Sequence, residues 1–254
     1  MVKLLYRHTL VVLIGATVYL PFWFGRLNWD PDMRLWRAIG DVSFVFLFLV
    51  LAVGPAARHW PALTRLLSWR RELGIWFAIL ALAHTLLVLD GWVRWDWMRF
   101  FGYEFVMQLG RYARIDPGFG LSNLIGIVAA LMAVPLMITS SSWAMKRLGG
   151  SSWKWLHAGA YTIFYLVVLH VLYFMFIHFT LSFHRPVPDP NWFRYPFLVA
   201  ALLVLTVQMS AFVVTVRKRT VTRRGGQPES QSSRLGGPAS HSPQQVVARS
   251  GGNQ

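Results

Sequence analysis

Six apolar runs dominate this sequence, at about 9–25, 38–56, 72–91, 121–139, 157–182 and 194–216. A helix crossing the roughly 30 Å hydrocarbon core of a bilayer needs about 20 apolar residues, and each run comes close to or exceeds that length. Composition agrees. Hydrophobic residues make up 55% of the chain and charged residues 14%, where an ordinary soluble domain carries about 25% charged. The runs are too long, and too little alternating, for a membrane β-barrel. No repeat of fixed period is evident. The reading is an all-α fold, an integral membrane six-helix bundle. Lys3 and Arg7 precede the first run as they would in a signal peptide. No small-x-small cleavage site follows; the chain runs on into Leu20-Pro21-Phe22-Trp23-Phe24, so this run reads as a retained helix.

An even number of spans puts both ends of the bundle on one side of the membrane. Fourteen Lys and Arg fall on the side of the N-terminus, of loops 57–71 and 140–156, and of the start of the tail, against nine on the other side. The excess predicts that both termini are cytoplasmic. The net charge of +15 is thereby a loop property, and no nucleic-acid partner is implied. With no cysteine in the chain, structural disulfides, thiol catalysis and Cys-ligated zinc or iron–sulfur centres are excluded within it. The domain reading is a six-span part, 1–219, and a basic Gly/Ser-rich cytoplasmic tail, 220–254. That tail has too few apolar residues to fold and is expected to be disordered.

The informative residues are the polar ones inside the runs. Of eight histidines (His8, His59, His84, His157, His170, His178, His184 and His241), four fall in spans 3 and 5. Ionisable groups at membrane depth are functional candidates by default. His84 is twelve residues past Glu72 and His170 thirteen past His157. At 1.5 Å per residue both rise roughly 18–20 Å from the cytoplasmic side. Two imidazoles at one height on facing helices can clamp a planar cofactor, as bis-histidine ligation of a b-type haem requires. The alternative for either histidine alone is a hydrogen bond to a neighbouring helix. His157 sits at the inner end, and the matching position on span 3 is Arg71 rather than a second histidine. His157 and His170 are also about 140° apart on a straight helix. His157 is therefore either a second-site ligand or a helix-end group holding a carbonyl or propionate. His178 reads as an interface residue. Asp41 and Asp90 read as helix-end groups near the outer surface, and Arg70 and Arg71 as cytoplasmic anchors. The outer loop 92–120, with Trp92, Trp95, Trp97, Phe100, Phe101 and Phe105, suggests a helix lying in the interface. It would serve as a partner surface or a lid.

Several stretches together resemble a known family: Arg70-Arg71-Glu72-Leu73-Gly74-Ile75 leading to His84, Ile138-Thr139-Ser140, Arg147-Leu148-Gly149-Gly150, Trp153-Lys154-Trp155-Leu156-His157, and Leu169-His170. The chain resembles the ferric reductase-like transmembrane domain family. Within it the pattern looks most like the branch of haem-binding membrane subunits of the periplasmic methionine sulfoxide reductase system (MsrQ or YedZ). Leu51-Ala52-Val53-Gly54-Pro55 fits the same branch.

The resemblance implies haem b, one or two per chain, with His84, His157 and His170 at the haem-iron ligand positions. It implies that electrons cross a bacterial inner membrane, from a quinol or a cytoplasmic flavin reductase to a periplasmic acceptor such as a molybdopterin methionine sulfoxide reductase subunit. A flavin, FMN, is also associated with that branch. The long aromatic loop and the basic tail depart from its pattern. No GxGxxG fingerprint follows the membrane part, so the chain reads as an electron-transfer subunit rather than a self-sufficient enzyme. The competing reading is a transporter or proton relay that uses the intramembrane histidines.

Overall fold

The structure, a computed structural model, describes residues 2–114, 118–178 and 190–225. It separates into two compact units, 1–212 and 213–254. Among the described residues, six helices are long and apolar enough to span a membrane: Leu4–Phe24, Pro31–Ala56, Pro61–Val93, Phe119–Ile138, Gly150–His178 and Arg194–Arg217. The protein is an all-α, multi-pass membrane protein.

In chain order α1 is Val2–Phe24 and α2 is Pro31–Ala56. α2 opens on Asp30, whose carboxylate accepts from the backbone of Asp32 and Met33, with a proline at the first helical turn. A 3-10 run, Pro61–Trp69, leads into α3, Arg70–Leu87. The chain then crosses through the short α4, Trp97–Phe100, and strands β1, Tyr103–Val106, and β2, Arg111–Arg114. α5, Phe119–Ile138, and the short α6, Ser142–Leu148, precede α7, Gly150–Leu172. α8 begins at Arg194 and continues to Gly225. The tail beyond Gly225, with His241, lies outside the described residues, as does His184.

In a bilayer, apolar surface alone gives helices little reason to associate, so packing rests on small residues and polar ties. α2 packs on α3 and α5 on α7, and Ala38, Ala78, Ala129 and Ala133 on these helices are buried. At the end of the first unit that carries the basic loops, Arg7 pairs with the buried Glu72 at 3.1 Å. The Nε of Arg70 donates to the Val50 carbonyl of α2 at 2.8 Å. Gly54 leaves room for that guanidinium, since a Cβ there would lie 3.2 Å from its Nη1. Arg70 is thus a helix-to-helix tie as well as an anchor.

At the opposite end, the 92–120 region is not an interfacial helix. Among the described residues it holds the short α4, Trp97–Phe100, and a 3-10 turn at Met107–Leu109, and β1 and β2 form an antiparallel hairpin in which Phe105 faces Tyr112. Gly110, at φ +60°, closes its turn in the left-handed conformation that glycine adopts without strain. The alternation of Tyr103, Phe105 and Tyr112 with charged residues is a strand pattern, and it outweighs the aromatic content that suggested a helix. The hairpin is fastened to the bundle through the buried Asn123 on α5, whose amide donates to the Phe100 carbonyl at 2.8 Å.

Candidate cofactor-binding site

His84 near the end of α3 and His170 near the end of α7 line one cavity, together with Arg37, Gly40, Asp41 and Gly126. Phe44, Phe77, Phe100, Val167 and Phe174 supply much of its apolar wall. The equal height read from the sequence brings these two histidines together. His157 does not line this cavity. Nor does His178, whose ring packs against Phe119 and Tyr173.

The two histidines are held in the same way. His84 Nδ1 is 2.8 Å from the Trp36 carbonyl of α2, and His170 Nδ1 is 2.7 Å from the Ser122 carbonyl of α5. A carbonyl only accepts, so each Nδ1 donates and carries the proton. In a neutral imidazole that leaves Nε2 with the lone pair, the form a metal ligand needs. One turn along each partner helix stands a glycine. A Cβ on Gly40 would lie 3.0 Å from His84 Nδ1, and a Cβ on Gly126 would lie 2.7 Å from His170 Nδ1. Each ring therefore lies flat against bare backbone.

Both bonds span 48 residues of sequence. One constant offset relates Trp36 to Ser122, Gly40 to Gly126 and His84 to His170. Each of the two histidine-bearing helices then widens into a π-helical turn, Val88–Val93 after α3 and Tyr173–His178 after α7. Such turns recur at functional sites because they re-aim side chains. Here they bring Val88, Leu89 and Val93 on one side and Phe174 on the other to the cavity wall. The cavity is thus built from two copies of one helix-pair half-site, a repeat that sequence inspection misses because side-chain identity is kept at so few positions.

The site fits a bis-imidazole cofactor on three counts: two neutral Nε2 donors, glycine cradles that leave no room for a side chain behind either ring, and an apolar lining. His157 is arranged differently. Its Nε2 is 3.1 Å from the Thr139 hydroxyl, and its ring stacks on Trp153 at 4.1 Å between centroids. Thr139 Oγ1 is also 2.6 Å from the Pro135 carbonyl. That carbonyl takes the single hydroxyl proton, so the hydroxyl accepts from Nε2–H of His157. Its proton thus sits on the opposite nitrogen from that of His84 and His170.

Asp41 departs from the sequence reading. It is not a surface helix-end group but a buried carboxylate on the cavity wall, paired with Arg26 Nη1 at 2.6 Å. The sequence signal was weak: an acid eleven residues into a helix that starts at Pro31 has no use as a cap. Asp90 does sit at a helix end, where it accepts from Trp95 Nε1 at 3.2 Å.

The profile of the family described as "Ferric reductase like transmembrane component" matches residues 39–168, half of the chain. The chain belongs to that family. The matched stretch holds His84 and His157 and ends just before His170. Among curated proteins, the magnetosome protein MamZ of Paramagnetospirillum magneticum is 31% identical over 148 residues, which cover 58% of this chain and 21% of that protein. The protein-methionine-sulfoxide reductase heme-binding subunit MsrQ of Herminiimonas arsenicoxydans is 33% identical over 150 residues, 57% of this chain and 60% of that protein. MsrQ of Azospira oryzae is 31% identical over 169 residues, 65% of each. The chain thus spans between about a fifth and two thirds of the length of these relatives.

Proposed function

We propose that this member of the ferric reductase-like family passes electrons across a bacterial inner membrane through one b-type haem. His84 and His170 would hold its iron through Nε2. The observation that carries this reading is the pair of Nδ1–H···O=C bonds, to Trp36 and Ser122, which fixes both imidazoles in the ligating tautomer. Haem supplies an iron that takes up and gives back one electron. The chain supplies everything else. The two carbonyls orient the rings, Gly40 and Gly126 let them lie against the helices, and the phenylalanines of the lining exclude water. Burial and the two imidazoles together would set its potential.

His157 supports the basic end in this reading. Its Nε2–H is engaged by Thr139, and ligation of a second haem or contact with a flavin such as FMN would require it to leave that bond. Both termini face the cytoplasm by the excess of basic loops, so the hairpin end faces the periplasm. The donor is a quinol or a cytoplasmic flavin reductase. The acceptor is a periplasmic protein of the methionine sulfoxide reductase kind, a reading supported by the relatives named for that system.

The test is a reduced-minus-oxidised visible spectrum of the purified protein, with haem quantified per chain. A low-spin, six-coordinate b-type spectrum at about one haem per chain is expected. A protein that stays colourless when haem is supplied during expression, yet moves protons or solutes in vesicles, would be a transporter and not an electron carrier.

A further inference from the structure

Haem ligation by His84 and His170 makes no use of the Arg26–Asp41 pair, a buried ion pair of the first unit. Asp41 is 7% exposed and Arg26 is 2% exposed. A buried ion pair often stabilises less than apolar residues of the same volume would, because both charges lose their water. At membrane depth such a pair is a candidate for function.

Its geometry gives it a direction. Asp41 follows Gly40, the residue against which the His84 ring lies, and it lines the cavity. Arg26, from the connection between α1 and α2, is not part of the lining and stands behind Asp41. Its Nη1 lies 2.6 Å from the Asp41 carboxylate. Its Nη2 donates to Asn191 Oδ1 at 3.1 Å, ahead of α8. The rings of Trp29 and Phe22 cover its guanidinium at 4.9 and 5.6 Å. These contacts hold the pair with its negative end on the cavity and its positive end away from it. The other formal charge on the cavity wall, among the described residues, is Arg37, one turn earlier on α2 and 5.3 Å over the Phe174 ring.

A fixed charge beside a redox centre shifts its potential, because the oxidised and reduced forms differ by one unit of charge and low dielectric leaves the interaction poorly screened. The nearer end of an oriented pair decides the sign. We propose that the Arg26–Asp41 pair sets the reduction potential of the cofactor held between His84 and His170, Asp41 lowering it and Arg26 fixing Asp41 in place. This rests on the haem reading above.

The test is spectropotentiometry of the purified full-length protein as wild type, Asp41→Asn, Arg37→Gln and the double variant Arg26→Met/Asp41→Leu. The double variant removes both charges together, so it leaves no unpaired buried ion if Asp41→Asn fails to fold. Asp41→Asn raises the potential by about a tenfold change in the reduction equilibrium, about 59 mV for one electron. The double variant raises it by less, and Arg37→Gln lowers it. The low-spin spectrum is unchanged in all three. A reduction equilibrium within twofold of wild type in both Asp41 variants that fold overturns the proposal, and so does a fall in potential in either. Loss of the low-spin spectrum in the double variant overturns it as well, since Asp41 would then serve ligand geometry. A wild-type protein without low-spin haem fails earlier and counts against the haem reading itself.

Discussion

His170 and His157 lie on one helix, α7, inside one membrane span, and differ in almost every respect that matters to a ligand. His170 gives its Nδ1 proton to a backbone carbonyl, lies against a glycine, and shares a cavity with a twin on another helix pair. His157 donates through Nε2 to a side-chain hydroxyl, stacks on an indole and, among the described residues, does not share the cavity of His84 and His170. Residue type and the helix they share do not separate the two. The partner of the other ring nitrogen does, because it decides where the lone pair points.

The comparison breaks most readily at the glycines. Gly126→Ala puts a Cβ at 2.7 Å from His170 Nδ1, and Gly40→Ala one at 3.0 Å from His84 Nδ1. The neighbour in each case is a ring held by a hydrogen bond, which cannot swing away without losing that bond. Both variants are expected to lose most of the low-spin haem signal, Gly126→Ala the more completely. Haem content and spin state in detergent measure this. Equal retention of wild-type spectra in both would mean that the rings are not seated against α2 and α5.

A smaller effect is expected at Asn123, which ties the hairpin segment to the cavity wall. Asn123→Ala leaves the Phe100 carbonyl without its donor, at a cost of about 1–3 kcal/mol. The expected outcome is faster proteolysis within 97–114 with the haem spectrum retained. Cleavage no faster than in wild type would locate the anchor elsewhere. The smallest effect belongs to Thr139→Val, which removes the acceptor of His157 and is worth about 0.6 kcal/mol by the usual membrane hydrogen bond. Haem content should not fall. A rise to two haems per chain would mean that Thr139 had been withholding a ligand, and it would overturn the contrast between the two ends of α7.

Much of this was legible in the residues. The apolar runs fixed six helices, and the 1.5 Å rise put His84 and His170 at one height. The family resemblance, carried by 138–170 and the approach to His84, agrees with the profile match over 39–168. What escaped the sequence had physical reasons. The acceptors that lock the imidazoles are backbone carbonyls, so Trp36 and Ser122 carry no side-chain signature of that function. Gly40 and Gly126 look like any other glycines in membrane helices until a ring is found against each. Asp41 read as a surface acid because its partner, Arg26, comes from a connection before α2. The hairpin was hidden by its aromatics, which suit a membrane interface in either secondary structure.

The measurement that bears most directly on the central claim is the reduced-minus-oxidised spectrum, with haem per chain, of His84→Ala, His170→Ala and His157→Ala prepared side by side. The two-half-site clamp predicts that the first two lose the low-spin b-type signal and that His157→Ala keeps it at wild-type stoichiometry. A low-spin signal that survives in His170→Ala, or disappears in His157→Ala, would contradict it.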